Sequence, residues 1–216
     1  MPEIKIAPSI LSADRNKLQQ DVDSVKDGEL LHVDIMDGKF VPPVTFSVDE
    51  IKRLKTSMPL DVHLMVAEPE KEFVDWYIEA GASIITVHIE ATKKMDDIIA
   101  KLKKNKVKAG IAINPKTAVS AIKKYLGKID MVVVMSVNPG YAGQKFISEV
   151  LPKVKELRKL KPKMDIEIDG GINAETVVSA VKAGANVIVA GNYVFSAKDR
   201  SKAIDGLKKK IKLKNS

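Results

Sequence analysis

The sequence predicts an α/β protein that forms a closed (β/α)₈ barrel, the TIM barrel. Apolar runs alternate with amphipathic segments along the chain, the alternation can be counted eight times, and 216 residues suit one such barrel. The apolar runs are nearly continuous, as in parallel strands covered by helices. A doubly wound open sheet would need a nucleotide-binding turn, and none is evident. We therefore expect residues 1–216 to form a single barrel domain.

The predicted strands are short runs rich in Val, Ile and Leu. In chain order they are IKIAPSI, LLHVDIM, LDVHLMV, SIITVHI, VKAGIAI, DMVVVMS, DIEIDG and NVIVAG. The predicted helices between and after them cover Arg15–Lys26, Val48–Thr56, Pro69–Ala80, Met95–Lys104, Thr117–Leu126, Ser148–Leu160, Ala174–Ala183 and Lys198 to about Lys210.

Helix boundaries are predicted from residues that favour the two ends of a helix. Pro69 suits a first helical turn, and Asn173 is a good N-cap. Gly81, Gly127 and Gly184 stand where a left-handed residue would end a helix.

Composition excludes several classes of site and partner. The formal charge of +8 comes largely from scattered lysines with few aromatic residues near them, which disfavours nucleic-acid binding. The sequence shows neither a secretory leader nor an apolar run long enough to span a membrane, so we expect a soluble, cytoplasmic protein without a membrane partner. The absence of cysteine excludes disulfides and thiolate metal sites.

Polar residues stand at the C-terminal ends of the predicted strands, which converge on one mouth in a barrel. His32 and Asp34 lie two apart on the second strand and share a face, as do Asp61 and His63 on the third. Asp169 ends the seventh strand. Further polar or sulfur-containing residues near such ends are Ser9, His88, Glu90, Asn114 and Met135.

We interpret His32, Asp34, His63 and Asp169 as a metal site. Two imidazoles and two carboxylates suit Zn²⁺, Fe²⁺, Mn²⁺ or Co²⁺. The alternative is a set of buried side chains satisfied by hydrogen bonds, which we favour for His88 taken alone. For the four together a metal is favoured, because two uncompensated buried carboxylates are costly. Asp37, before a glycine at a strand end, is predicted to shape a turn.

Two further patterns concern ligand binding. Glycines follow the sixth, seventh and eighth strands in NPGYAGQKF, DGGIN and AGNYVF, where a barrel commonly binds phosphate through backbone N–H groups. Met36, Met65 and Met135 lie near three strand ends and are either core filler or a dry wall of the site.

The motifs SILSAD, HVDIMDGKFVP, DVHLMV, VHIEA, MSVNPGYAGQKF, DGGIN and AGNYVF resemble, in order and spacing, those of the ribulose-phosphate 3-epimerase family. The resemblance covers nearly the whole chain. It implies a metal-dependent barrel isomerase of the pentose phosphate pathway that interconverts D-ribulose 5-phosphate and D-xylulose 5-phosphate through a metal-stabilised enediolate. It also implies a homo-oligomer, because relatives form dimers or hexamers.

The resemblance also implies roles for particular residues. His32, Asp34, His63 and Asp169 would hold one divalent metal ion, with Asp34 as proton acceptor and Asp169 as proton donor. The residues expected to contact the sugar phosphate are Ser9, Met36, His63, Met65, Met135, Gly140, Tyr141, Ala142, Gly143, Gly170, Gly171, Gly191 and Asn192. NPGYAGQKF is a candidate lid.

The sequence departs from the usual family pattern at Lys39, Pro43, Tyr141, Ala142, Asn192 and Tyr193, but at none of the predicted metal or acid–base positions. Asn192 and Tyr193 leave open a six-carbon substrate such as allulose 6-phosphate. A barrel that only binds a phosphorylated ligand is a second alternative. Metal-assisted hydrolysis is disfavoured, because it typically uses a His-x-His pair on the first strand, which this chain lacks.

Overall fold

A computed structural model describes residues 2–213. Eight parallel strands form one sheet in the order β1-β8-β7-β6-β5-β4-β3-β2. A bridge between Ser9, just after β1, and His32 on β2 joins the two edges into a ring. The predicted (β/α)₈ barrel is therefore confirmed.

The strands are β1 (Lys5–Ala7), β2 (Leu31–Met36), β3 (Leu60–Met65), β4 (Ile84–His88), β5 (Lys108–Ile113), β6 (Met131–Met135), β7 (Asp165–Asp169) and β8 (Val187–Val189). The α-helices are α1 (Leu18–Asp23), α2 (Val48–Lys52), α3 (Phe73–Glu79), α4 (Met95–Lys104), α5 (Leu151–Leu160), α6 (Thr176–Ala183), α7 (Asn192–Phe195) and α8 (Arg200–Leu213). Short 3₁₀ helices cover Ile10–Ser12, Arg15–Lys17, Ile89–Ala91, Val119–Tyr125 and Ser148–Val150. None of the helices within residues 2–213 has the length and apolar character of a membrane span.

The alternation along each strand divides most of the buried apolar side chains into an outer and an inner core, and Met36, Val41 and Met65 form a small third cluster. On β2, Leu31, Val33 and Ile35 face outward and join the large core between strands and helices. A smaller core fills the barrel itself, with Val133 and Met135 of β6 among its members. The polar residues of β2 lie on this inner face, so the strand pattern by itself directs them to the barrel axis.

The predicted helices differ from the observed ones in extent, in type or in both, except Met95–Lys104, which is α4. Helix α2 ends at Lys52 instead of Thr56, and Ser148–Val150 before α5 is 3₁₀. The segment predicted as Arg15–Lys26 is a 3₁₀ turn followed by the short α1. The segment predicted as Thr117–Leu126 is a 3₁₀ helix, in which Val119, Ile122 and Tyr125 are buried. A burial spacing of three residues matches the 3₁₀ repeat rather than the α repeat, which explains why the segment Val119–Tyr125 is a 3₁₀ helix.

Helix ends were predicted correctly where a side chain or a left-handed glycine forms the cap. Gly184 follows α6 with φ of 115°. Asn173 does not directly precede α6, which begins at Thr176, but its Oδ1 accepts the backbone N–H groups of Glu175 and Thr176 at 2.8 and 3.0 Å and so caps the turn that leads into the helix. Gly81, after α3, also has a positive φ. Gly127 does not, because the preceding helix is 3₁₀ and ends in a different turn. Pro69 lies in a turn before α3 rather than in its first turn, because α3 begins only at Phe73.

Candidate active site

Strands β2 and β3 carry four polar side chains into the barrel interior. His32 stands beside Asp61, and Asp34 beside His63, in the register of this strand pair. All four residues are exposed by 2% or less. Asp169, at the end of β7, approaches the same place from another part of the ring. Strands β1 and β8 lie between β7 and β2.

Donor atoms of His32, Asp34, His63 and Asp169 all lie within 4.8 Å of one another. We call these four residues the His/Asp cluster. Oδ1 of Asp34 lies 3.3 Å from Nε2 of His32 and 3.2 Å from Nδ1 of His63. Oδ2 of Asp169 lies 3.6 Å from the same nitrogen of His63. The structure therefore brings together all four residues that the sequence assigned to one metal site.

The His/Asp cluster has the chemistry of a metal site. Nε2 of His32 is buried, faces Asp34 and has no hydrogen-bond partner within residues 2–213. A buried nitrogen without a partner costs free energy that a bound cation would recover. The set of two imidazoles and two carboxylates, without sulfur, suits first-row divalent ions. The cluster could therefore hold one divalent metal ion.

The charges in the cluster keep Asp34 ionised. Burial by itself would raise the pKa of Asp34, but the positive charge of His32, followed by the contact with His63, lowers this pKa well below its ordinary value. The hydroxyl of Ser9 also donates a hydrogen bond to Oδ2 of Asp34 at 2.6 Å. Ser9, which we expected at the substrate, thus also orients this carboxylate.

Below the His/Asp cluster, Asp61 and Glu167 add two carboxyl groups to the barrel interior. Nδ1 of His32 donates to Oδ2 of Asp61 at 2.8 Å and lies 3.5 Å from Oε1 of Glu167. Burial, followed by the charge of Asp61, raises the pKa of Glu167 well above its ordinary value, which favours its neutral form. Burial by itself would lower the pKa of His32, but the charges of Asp34, Glu167 and Asp61 raise it well above its ordinary value. With its Nδ1 proton directed at Asp61, His32 would give up the Nε2 proton to bind a metal ion.

His88, at the end of β4, lies behind His63. Nε2 of His88 is 2.9 Å from Nε2 of His63, and its Nδ1 is 3.3 Å from Oε2 of Glu90. Burial lowers the pKa of His88 to about 4. Burial would raise the pKa of Glu90, but hydrogen bonds from His88 and from the loop after β5 lower it to about 2. The interpretation of His88 as a buried histidine with satisfied ring nitrogens is confirmed.

A cavity of about 430 Å³ opens above the His/Asp cluster at the C-terminal ends of the strands. Asp34 and Asp169 reach its floor, whereas His32 and His63 lie beneath the surface. The cavity is lined by every residue expected to contact the substrate except His63, namely Ser9, Met36, Met65, Met135, Gly140, Tyr141, Ala142, Gly143, Gly170, Gly171, Gly191 and Asn192.

The loops after β6 and β7 pack closely against each other beside this cavity. The hydroxyl of Ser136 donates to the carbonyls of Asp169 and Gly170 at 2.9 and 2.7 Å. Gly171 has φ of 64°, and a Cβ atom there would lie 2.5 Å from the backbone nitrogen of Phe146. Only glycine permits this approach, which places backbone groups rather than side chains at the rim of the cavity.

Asp37 shapes the loop after β2, as predicted. Its Oδ1 accepts the backbone N–H groups of Lys39 and Phe40 at 2.9 and 3.0 Å, and its Oδ2 accepts that of Ala67 at 2.9 Å. These three bonds occupy both carboxylate oxygens, and Asp37 does not line the cavity. The turn-forming interpretation is confirmed.

Comparison with known proteins identifies the family of this chain. The model of the Ribulose-phosphate 3 epimerase family matches residues 5–195 of the chain. The ribulose-phosphate 3-epimerase of Bacillus subtilis is 44% identical over 214 residues, which cover 95% of this chain and 98% of the relative. The ribulose-phosphate 3-epimerase of Schizosaccharomyces pombe is 43% identical over 218 residues, or 98% of this chain and 95% of the relative.

The chain belongs to the ribulose-phosphate 3-epimerase family. It is therefore an epimerase, an enzyme of the isomerase class, as the motifs indicated. Solved structures of lower identity share the fold. The 3-hexulose-6-phosphate synthase of Salmonella typhimurium superimposes with a TM-score of 0.74 at 16% identity, covering 97% of this chain and 99% of the other. The orotidine 5'-monophosphate decarboxylase of Sulfolobus solfataricus gives a TM-score of 0.71 at 15% identity, covering 99% and 100%.

The departures from the usual family pattern fall in two places. Tyr141, Ala142, Asn192 and Tyr193 line the cavity, on the side where the glycine-rich loops lie. Lys39 and Pro43 belong to the loop after β2 and lie outside the cavity wall. The differences that reach the cavity therefore lie in the segments after β6 and β8 and do not include the His/Asp cluster.

Three carboxylates around the His/Asp cluster were not assigned a role from the sequence. Glu167 lies two residues before Asp169 on β7, and Asp61 lies two before His63 on β3. The strand period of two places each of them on the inner face, so this signal was present. For Glu90 no such signal existed, because it follows β4 in a 3₁₀ turn where the strand period no longer applies.

Proposed function

We propose that this enzyme interconverts D-ribulose 5-phosphate and D-xylulose 5-phosphate by proton transfer at carbon 3. The observation that carries the proposal is the convergence of Asp34 and Asp169, from β2 and β7, on one donor group at the floor of one cavity. Epimerisation at C3 of a 2-ketose removes a proton next to a carbonyl and returns one on the opposite face. Two carboxylates from different sides of a barrel meet that requirement.

We propose that His32, Asp34, His63 and Asp169 hold the metal ion. The orphaned Nε2 of His32 and the mixed nitrogen and oxygen donors support this assignment. When bound, a divalent ion would supply Lewis-acid stabilisation of the negative charge that develops on the substrate oxygens next to C3, an effect of several kcal/mol. The cysteine-free sequence and the donor types leave Zn²⁺, Fe²⁺, Mn²⁺ and Co²⁺ as candidates.

Asp34 acts as the base in one direction of the reaction. Its lowered pKa keeps it ionised at neutral pH, and the Ser9 hydroxyl holds one of its oxygens in place. Asp169 returns a proton to the opposite face of C3, and the two residues exchange roles in the reverse direction. Met36, Met65 and Met135, exposed by 3% or less, form an apolar part of the cavity wall and exclude water from the carbanion-like species.

The phosphate is bound at the glycine-rich side of the cavity. Gly170, Gly171 and Gly191 present backbone there without side chains in the way. Tyr141, exposed by 61%, stands on the loop after β6 and is positioned to cover a bound substrate. Binding energy at this non-reacting end orients C3 between the two carboxylates.

The test combines metal analysis with turnover. The purified protein is expected to contain about one divalent ion per chain, to convert D-ribulose 5-phosphate to D-xylulose 5-phosphate, and to lose activity on chelation and regain it with added metal. If the purified protein contains no metal and does not epimerise the substrate, only the alternative of a barrel that binds a phosphorylated ligand would remain. Parallel assays with allulose 6-phosphate measure the six-carbon alternative, which Asn192 and Tyr193 at the cavity wall leave open.

The proposal also covers the location, the assembly and the partners of the enzyme. We place it in the cytoplasm as a homo-oligomer that acts on a small sugar phosphate and on neither nucleic acid nor membrane. The family relationship supports the sugar-phosphate substrate. Sedimentation of the purified protein measures the oligomeric state.

A further inference from the structure

His88 lies next to the His/Asp cluster but is not one of its four residues. It is fully buried, and its ring lies nearly coplanar and edge to edge with that of His63, with centroids 5.0 Å apart and planes inclined by 20°. The two Nε2 atoms are 2.9 Å apart, a hydrogen-bond distance. One of these nitrogens must therefore carry a proton and the other must accept it.

The position of His63 decides which nitrogen donates. Its Nδ1 faces the carboxylates of Asp34 and Asp169 at 3.2 and 3.6 Å and is the atom available to a metal. A nitrogen that binds a metal carries no proton, so with a metal ion on Nδ1 the proton of neutral His63 would be on Nε2. Nε2 of His63 would then donate to Nε2 of His88.

His88 must then carry its own proton on Nδ1, which faces Oε2 of Glu90 at 3.3 Å. The other oxygen of Glu90 accepts the backbone N–H of Asn114 at 3.0 Å and the hydroxyl of Thr117. Both oxygens of Glu90 are thus acceptors. A carboxylate can do this and an amide cannot, because an amide has one acceptor and one donor end.

The loop after β5 that binds Glu90 is itself fixed from α5. Nζ of Lys153 donates to the carbonyls of Asn114, Pro115 and Thr117 at 2.9, 2.8 and 2.8 Å. The three donors of the ammonium group are therefore all used on this loop. A rigid chain of contacts runs from Lys153 through the loop and Glu90 to His88 and His63.

We propose that His88 and Glu90 are positioning residues that fix the proton of His63 on Nε2 and hold its ring with Nδ1 toward the metal. Glu90 acts through His88 as Asp61 acts directly on His32. This inference rests on the proposed function, because it assumes that His63 binds the metal. Neither His88 nor Glu90 lines the cavity, so neither reaches the substrate from its place in the structure.

Imidazole nitrogen NMR tests the proton assignment directly, since the sequence contains only three histidines. In the protein labelled with ¹⁵N-histidine and loaded with Zn²⁺, we expect protons on Nδ1 of His32, Nε2 of His63 and Nδ1 of His88. A proton on Nε2 of His88 would overturn the inference. In Glu90→Gln an amide that keeps its oxygen toward Asn114 turns its NH₂ toward His88, so the proton of His88 is expected to move to Nε2.

Zn²⁺ affinity, measured by competition with a chromophoric chelator, is the second readout. Glu90→Gln and His88→Leu are expected to weaken Zn²⁺ binding by about 10- to 100-fold, and His88→Gln, which retains an acceptor for His63, by less. Glu70→Gln is the matched control, because Glu70 accepts from Thr92 outside this chain of contacts. Metal-free stability of each variant is measured in parallel, so that a folding defect is recognised separately.

The outcomes separate the two proposals. If the parent protein binds no metal or does not epimerise, the proposed function fails. If the parent binds Zn²⁺ and turns over but Glu90→Gln and His88→Leu bind Zn²⁺ as tightly as Glu70→Gln, only the positioning role is wrong.

Discussion

Nδ1 of His32 donates a hydrogen bond to Oδ2 of Asp61 at 2.8 Å, and both side chains are fully buried. The two residues face each other across β2 and β3, one layer below the pair formed by Asp34 and His63. A carboxylate behind a metal-binding imidazole fixes its tautomer and increases its basicity. Asp61 therefore determines that Nε2 of His32, rather than Nδ1, is available to a metal.

Asp61→Asn is expected to weaken metal binding by about 10- to 100-fold, because an amide NH₂ can face Nδ1 of His32 and shift its proton to Nε2. Chelator competition with Zn²⁺ measures the change. Asp130→Asn is a suitable control, because Asp130 accepts a backbone N–H of β5 away from the His/Asp cluster. Equal metal affinity in Asp61→Asn and the parent would contradict the role of Asp61.

Asp34→Asn and Asp169→Asn are each expected to abolish exchange of the C3 proton with solvent and to lower turnover by at least about 10²-fold, the usual scale of general acid–base catalysis. Proton NMR of the substrate in deuterated water measures the exchange. Metal content is determined for both variants, since each residue belongs to the His/Asp cluster. Retained exchange in both variants would exclude the two-aspartate mechanism.

Gly171→Ala is expected to destabilise the protein and raise KM, because its Cβ would lie 2.5 Å from the backbone nitrogen of Phe146 and push apart the loops after β6 and β7. Gly81→Ala is the matched control. Gly81, after α3 and outside the cavity wall, has a similar positive φ of 83°, but a Cβ there meets nothing within 4 Å. The control carries only the cost of a left-handed alanine, about 1–2 kcal/mol. Thermal unfolding and KM are compared, and equal effects at the two positions would show that the loop contact is unimportant.

Glu50→Gln is expected to lower stability at neutral pH by about 1 kcal/mol, through loss of the Arg15 ion pair and of the capping box at α2. Hydrogen bonds from Arg15 and then from Ser47 lower the pKa of Glu50 from 4.5 to about 2. A lowered folded-state pKa contributes stability above pH 4.5 that is lost as the pH falls toward 2. The difference between parent and variant should therefore shrink between pH 6 and pH 3 in urea unfolding.

Exposed Glu156 on α5 provides the control for this experiment. Glu156→Gln should differ little from the parent at either pH, because a solvated surface side chain contributes little to stability. A difference between Glu50→Gln and the parent that stays constant over the acid range would contradict the assignment of the lowered pKa to the Arg15 and Ser47 contacts.

The eight strands and the residues at their ends could be predicted because a period of two, read in short apolar runs, decides which face each side chain takes. His32 and Asp34 on β2 illustrate this, since both were placed on the inner face and both lie there. The helix ends were less predictable. The Val119–Tyr125 segment has polar and apolar residues compatible with either helix type, and packing at a spacing of three residues selects the 3₁₀ form.

In the candidate site, too, some features could be predicted from the sequence and others could not. The residue types and strand positions of the His/Asp cluster were determined by the sequence, because ligand chemistry and strand alternation are local properties. The tertiary structure alone decided which nitrogen of His32 and His63 faces the centre, and it brings Asp61 to His32 and Glu90, through His88, to His63. Those contacts join β2, β3, β4 and the loop after β5, and they depend on strand register and on closure of the ring, which no short segment of the chain encodes by itself.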